Sequence, residues 1–344
     1  MVSSTSNSDS IKMKRRHALF FLCLTATLVF SGATAHRMLG LSWPAEKNGF
    51  RSGAFLSYYK GIGVDYNIFR YNLFRVAEPL KSAEIILYSS SKGIFGYRTD
   101  LLSEAISKAS GRNISAFNTS LAFGEGIPFF VQIVKELDLH DKIAIVDLSA
   151  ETYLWRYSAM AEKALSESRL DAYKTTLNVW MHYFFDYGAN PFVPEAKLGS
   201  FAPRTSYMYS RSLSTGDDFG KPFIARFLVE APPRFSAEFD PDGRLKSGFI
   251  EEFRRRNIGI IFTTIPYGGG PIKTGVANPE WARSVSNKLA IPYASVSWDG
   301  LYTVDGIHMD PKSAEIFSGR LAKALLDMPV NIVAGLGRIR AEPR

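Results

Sequence analysis

Apolar positions along the chain alternate between short continuous runs and stretches with helical spacing. Glu84–Tyr88 (EIILY) is an apolar run that ends in three serines, and it reads as a buried strand. Thr99–Ala109 follows with Leu101, Leu102, Ala105, Ile106 and Ala109 on one helical face and Thr99 placed as a cap. Ile114–Phe117 reads as a second strand and Ile127–Leu137 as a second helix. Lys142–Leu148 (KIAIVDL) is a third strand, apolar enough to be covered on both faces. The same rhythm resumes later in the chain. Gly248–Arg256 predicts a helix and Ile258–Thr264 a strand, with Asn278 capping a further helix over Pro279–Leu289. Tyr293–Val296 predicts a short strand, and a last helix follows Asp310-Pro311 with Ala314, Phe317, Leu321, Ala324 and Leu325 on one face. Alternation of this kind predicts an α/β fold: a three-layer parallel sheet flanked by helices.

Two regions break the rhythm. Residues 37–83 are irregular, with several Gly and Tyr, and read as an N-terminal extension of the main domain, which spans 84–328. Residues 150–245 form an insertion. Tyr173, Leu177, Trp180 and Phe184 are spaced as on a helix, and Pro191–Pro241 predicts long loops with a hairpin. Its aromatics suit either a sugar or acyl surface or an ordinary core. Residues 329–344 read as a C-terminal tail.

The N-terminus has a different character. Lys12, Lys14, Arg15 and Arg16 precede an uncharged run from Ala18 to Ala35 that ends Ala33-Thr34-Ala35. A basic flank, an apolar stretch and a small-x-small ending predict a signal peptide over residues 1–36. At 18 residues the run is also just long enough for an uncleaved anchor that leaves the rest of the chain outside the inner membrane. Either way the body is expected to be extracytoplasmic, periplasmic or secreted.

Composition narrows the function classes. The chain is 46% hydrophobic and 22% charged, which is ordinary for a globular protein of 344 residues. Losing residues 1–35 removes four basic residues and one acidic one, which lowers the formal charge from +8 to +5. No dense Lys/Arg stripe with interleaved aromatics is present, so nucleic acid is not an expected partner. Arg254-Arg255-Arg256, the longest basic run, reads as a solvated helix end. The single cysteine, Cys23, lies in the N-terminal run, so the body has neither a disulfide nor a cysteine metal site. No His/Asp/Glu cluster has metal-ligand spacing, and no cofactor is expected.

In a parallel sheet, reactive side chains gather at the carboxyl ends of strands. Two loops qualify. Ser89-Ser90-Ser91-Lys92 follows the first strand, and Asp305-Gly306-Ile307-His308 precedes the last helix. A serine nucleophile needs a base, and the base needs a carboxylate to fix its tautomer. Among five histidines, His308 alone has an acid three residues away in a strand–loop–helix context. His17 and His36 flank the apolar run, His140 sits in an acidic turn, and His182 lies on the aromatic helix.

The run Ile86–Leu102, with Ser89-Ser90-Ser91-Lys92 and then Gly96-Tyr97, resembles the first block of the SGNH (GDSL-like) hydrolases. Val304–Phe317, with Asp305-Gly306-Ile307-His308, resembles their last block. Phe117-Asn118-Thr119-Ser120 is similar to the second. The resemblance covers residues 84–149 and 257–327. It implies an SGNH/flavodoxin-like fold, Ser91 as nucleophile with Ser90 as runner-up, His308 as general base and Asp305 as its orienting carboxylate. It also implies Ser120 and Asn118 as oxyanion candidates. The chain departs from the pattern at Ser89, where glycine is usual, at Ser120, where the second-block glycine is expected, and at Asp147-Leu148-Ser149-Ala150-Glu151, which has no Gly-x-Asn-Asp. These departures are similar to those of SGNH-like acetylation proteins in bacterial exopolysaccharide systems. The expected activity is that of a serine esterase or O-acyltransferase, a hydrolase or transferase with a Ser-His-Asp triad that acts on an acylated carbohydrate or lipid. The alternative is a non-catalytic envelope protein that keeps this fold for binding or assembly.

Overall fold

The computed structural model of the chain describes residues 54–149, 164–175 and 245–328, apart from 59–61, 73–75, 122–125, 267–277 and 304–305, together with strands at 208–212 and 227–228. The expected export segment, the C-terminal tail and most of the insertion lie outside the described residues. So do Asp305, His17, His36 and His182.

Four parallel strands form the central sheet: β2 (Ile85–Tyr88), β3 (Ala116–Asn118), β4 (Lys142–Asp147) and β7 (Ile258–Thr263), in the order β3-β2-β4-β7. β2 and β4 are buried along their whole length, as central parallel strands must be. Two short antiparallel pairs lie outside this sheet. β1 (Ala54–Tyr58) pairs with β5 (Met208–Ser212), and β6 (Phe227–Leu228) pairs with β8 (Tyr302–Thr303). The helices are α1 (Ile62–Arg70), α2 (Ala77–Ser82), α3 (Ser91–Gly96), α4 (Thr99–Ser110), α5 (Ile127–Glu136), α6 (Glu251–Arg255), α7 (Pro279–Leu289) and α8 (Pro311–Leu326).

Successive strand residues point to opposite faces, and the two faces are filled differently. On one face, Ile85, Leu87, Ile143, Ile145 and Ile261 meet Leu102 and Ile106 of α4 and Phe317, Leu321 and Leu325 of α8 in an aliphatic core. The other face is aromatic. Tyr88 stacks on Phe130 of α5 with ring centroids 4.4 Å apart, and Phe130 meets Phe253 of α6 edge-on. Phe69 of α1 covers Phe117 in the same manner.

Most sequence boundaries hold to within two residues, and the differences have local causes. The second strand begins at Ala116 rather than Ile114, because the Ser107 hydroxyl of α4 already accepts the Ile114 N–H. Thr99 is the first residue of α4 rather than its cap. The cap position falls on Arg98, whose N–H donates to Ser318 of α8. The helix expected over Gly248–Arg256 divides into a π-helical turn, Leu245–Ile250, and α6. The strand expected over Tyr293–Val296 reduces to one parallel bridge between Phe262 and Tyr293, and the residues beyond it are held by Arg283 and Arg320. Asn278 and Asp310 cap α7 and α8 as expected, each accepting a backbone N–H three residues on.

Two expectations need correcting. Residues 37–83 are not irregular throughout, since β1, α1 and α2 fall within them. Where the insertion was expected to hold a hairpin, its two described strands, β5 and β6, are not paired with each other. β5 pairs back to β1, and β6 pairs forward to β8, immediately before the loop that carries His308. Pairings this distant in sequence leave no local turn signal to read.

At the amino ends of the strands, Lys142 is buried with its ammonium on the backbone carbonyls of Lys81 and Ala83, at 2.7 and 2.5 Å. These are orphan carbonyls at the end of α2, so the lysine acts as a C-terminal cap. Burial lowers its pKa from 10.5 to about 8, against the opposing pull of Glu84 and Asp141. A folded-state pKa below the unfolded value means that the unfolded chain binds more protons between them. We therefore expect the wild type to gain stability relative to a Lys142→Met variant as pH rises from about 8 to 10.5, with no relative change between pH 6 and 7. Urea denaturation of both proteins across that range measures the difference.

Candidate active site

The order β3-β2-β4-β7 reverses direction between β2 and β4. The chain passes from β2 outward to β3 and then returns across β2 to β4. Helices leaving the two strands diverge at such a switch point and open a crevice at their carboxyl ends. Ser89, Ser90 and Ser91 leave β2 at this place, and Asp147 ends β4 beside them.

Ser91 is the first residue of α3, and Ser90 caps that helix by accepting the Lys92 N–H. The cap role accounts for Ser90, and Ser91 is the serine that meets His308. The Ser91 Oγ lies 2.9 Å from the His308 Nε2, although the two residues are 217 positions apart. Both are nearly buried, at 7% and 2% exposure. The edge of Phe95, one turn along α3, packs against the imidazole with centroids 4.7 Å apart. A hydroxyl at hydrogen-bonding distance from an imidazole in a site closed to bulk water is the arrangement that proton transfer from serine requires.

The histidine is delivered by a short excursion of the chain. Thr303 and Met309 form an antiparallel bridge, so the loop leaves and returns at one point. Gly306 takes a positive φ of 82° within it, a conformation that glycine adopts without strain. Asp310 then caps α8, and Ser313 in the first turn of α8 accepts the Tyr302 N–H. α8 is in turn fixed to the nucleophile's helix. Ser318 donates to the Gly96 carbonyl, and a Cβ on Gly96 would come within 2.6 Å of Met309. The contact between α3 and α8 thus sets the distance between Ser91 and His308.

The second expected segment is also present. Asn118 Nδ2 donates to the Gly93 carbonyl of α3, and Asn118 Oδ1 accepts the Ser120 N–H at 3.1 Å. The structure therefore brings Asn118 and Ser120 against the nucleophile's helix. The donors that made them oxyanion candidates are engaged in holding that helix: the Ser120 N–H and one Asn118 N–H bond within the scaffold.

The sequence reading did not single out a charge pair formed by the residue that follows Ser91. The Lys92 ammonium is 3.4 Å from Asp147 Oδ2, and both side chains are fully buried. Ser149 accepts from Lys92 at 3.0 Å. Asp147 also accepts from the Ser89 hydroxyl at 2.8 Å, the Ser149 hydroxyl at 3.2 Å and the Ile265 N–H at 3.0 Å. The Asp147 charge reaches two phenols that burial already pushes up, Tyr97 well above its usual range and Tyr293 to about 12. The signal for this pair was a lysine and an aspartate at two positions whose neighbours predicted burial.

Comparison of the chain with protein-family models, with curated proteins and with solved structures gives no match.

Gly93 is the tightest point of the site. A Cβ there would lie 2.4 Å from Ser120 Oγ, 2.5 Å from Ser89 Cβ and 2.9 Å from the Tyr97 ring. Two of these neighbours belong to strand-end loops that cannot yield without moving the sheet. A Gly93→Ala variant should lose about 1–3 kcal/mol of stability from overpacking, read as a lowered denaturation midpoint at unchanged m-value. Gly300→Ala, where nothing lies within 4 Å but φ is +72°, is the control for glycine removal without a clash.

Proposed function

We propose that the chain is an exported, SGNH-type serine acyl-ester enzyme, an esterase or O-acyltransferase acting on an acylated carbohydrate or lipid. The observation that carries this reading is the 2.9 Å contact between Ser91 Oγ and His308 Nε2 at the carboxyl ends of a parallel sheet. The strand order supports it too, since β3-β2-β4-β7 follows the 2-1-3-4 course of flavodoxin-like sheets.

In this reading His308 Nε2 takes the Ser91 proton as Oγ attacks the ester carbonyl. The tetrahedral intermediate collapses, the C–O bond to the alcohol breaks, and His308 returns its proton to the leaving alkoxide. Water or a sugar hydroxyl then resolves the acyl-enzyme by the same steps. Asp305, three residues before His308, is the carboxylate this mechanism assigns to the other ring nitrogen. The Ser91 N–H, at the first position of α3, is the backbone donor it assigns to the oxyanion.

A second reading draws on one observation: the Asn118 and Ser120 donors bond within the scaffold. It makes the chain a non-catalytic envelope protein that uses the fold to hold a polysaccharide or an assembly partner.

Labelling of the purified full chain with a fluorophosphonate separates the two. The acyl-enzyme reading expects stoichiometric labelling of the wild type and of Ser90→Ala, and none of Ser91→Ala. His308→Gln should label at least ~10³-fold more slowly, the scale on which triad members contribute. A folded wild type that does not label, in a buffer where a control serine hydrolase does, overturns the proposal in favour of the binding role.

A further inference from the structure

Lys92 follows the nucleophile in sequence, yet it is among the largest fully buried side chains of the protein. An ammonium in that position costs several kcal/mol to desolvate and persists only with a paired, hydrogen-bonded carboxylate. Asp147 supplies it from the end of β4. A hydrophobic side chain of the same volume would fill this space without the penalty, so the charge pair is not explained by packing. Its geometry suggests what it does. Ser91 and Lys92 are consecutive on the first turn of α3, whose axis sets where Ser91 Oγ points. Lys92 Nζ is tied to Asp147 and Ser149 beyond β4, and Asp147 is tied in turn to Ser89 before the helix and to Ile265 after β7. The first turn of α3 is therefore held from both sides of the nucleophile by one carboxylate.

We infer that the Lys92–Asp147 pair is a positioning device for Ser91. By fixing the first turn of α3 to the ends of β4 and β7, it holds the nucleophile's hydroxyl at hydrogen-bonding distance from His308. The inference rests on the serine-enzyme reading above. Lys92 touches neither the Ser91–His308 contact nor a substrate in this scheme and acts only through the backbone it anchors. Among the described residues, Ser89, Ser149, the Ile265 N–H and the Tyr97 and Tyr293 phenols are polar groups that face the pair.

The test separates positioning from folding. Lys92→Met alone leaves Asp147 as a buried uncompensated charge, so the double variant Lys92→Met/Asp147→Asn carries the argument. It removes both charges and leaves an amide whose oxygen still accepts the Ile265 N–H and whose NH2 can donate to the Ser89 hydroxyl. Thermal unfolding should place the double variant above Lys92→Met and near the wild type. Labelling by a neutral fluorophosphonate, followed over a concentration series, should show the inactivation rate constant reduced at least 30-fold with the probe's half-saturating concentration within threefold of wild type. A misplaced nucleophile slows the bond-forming step and leaves probe binding intact. Lys92→Arg, which keeps the charge and the reach to Asp147, should recover part of the rate. A folded double variant that labels at the wild-type rate overturns the inference while leaving Ser91 as nucleophile. A wild type that does not label overturns the serine-enzyme reading itself.

Discussion

A charge buried in a protein interior must be met by an opposite charge at close range, and that requirement organises the described part of this chain. Lys92 and Asp147 are both inaccessible to solvent and 3.4 Å apart. Neither position is tenable without the other. Their mutual need fixes where β2 ends relative to β4, because Lys92 leaves the helix that follows one strand and Asp147 closes the other. The two serines that donate to Asp147, Ser89 and Ser149, complete the carboxylate's coordination from the same two loops. The Ile265 N–H brings in the end of β7. One carboxylate thereby gathers the carboxyl ends of three neighbouring parallel strands, where the chemistry of such sheets is placed.

The second half of the site is attached by apolar contact rather than charge. α8 shares the aliphatic core with α4 and with one face of the sheet. Its amino end carries the loop of His308, and its middle meets the carboxyl end of α3 through Ser318 and Gly96. The imidazole is thus attached to α8, and the hydroxyl to α3, whose first turn is tied to Asp147. The bridge between Thr303 and Met309 closes the histidine loop at its base. Since β8 also pairs with β6, the insertion is joined through the backbone to the strand that leads into this loop.

The parts of this arrangement that were legible in the sequence are those governed by local periodicity. β2, β4, β7, α7 and α8 follow from apolar runs and from caps such as Asn278 and Asp310, and the two reactive loops follow from their places after a strand and before a helix. The convergence of Ser91 with His308 was an inference from topology, which a parallel sheet makes strong. What could not be read was set by tertiary pairing. β1 with β5 and β6 with β8 are non-local ladders without a turn signal. The Tyr293 strand keeps only its bridge to Phe262, with Ser295 and Ser297 beyond it bonded to arginines of α7 and α8. The Lys92–Asp147 pair escaped because predicted burial of each residue does not name its partner, and only the sheet order puts them together.

The places where the chain differs from the SGNH pattern are not scattered. Ser89, Ser120 and the Asp147–Ser149 run meet around α3. Ser89 and Ser149 both donate to Asp147, and Ser89 and Ser120 both crowd Gly93, whose missing side chain is what admits them. The Ser89 hydroxyl would be stranded in the core without Asp147 to accept it. Asp147 would be an uncompensated charge without Lys92. Lys92 would lose the hydroxyl that accepts from its ammonium without Ser149. Each of these side chains is costly alone and compatible with the others, so they form one coupled polar floor at the start of α3. The 2.9 Å contact between Ser91 and His308 adjoins that floor. The floor and the contact share α3, so whatever shifts the first turn of that helix shifts both.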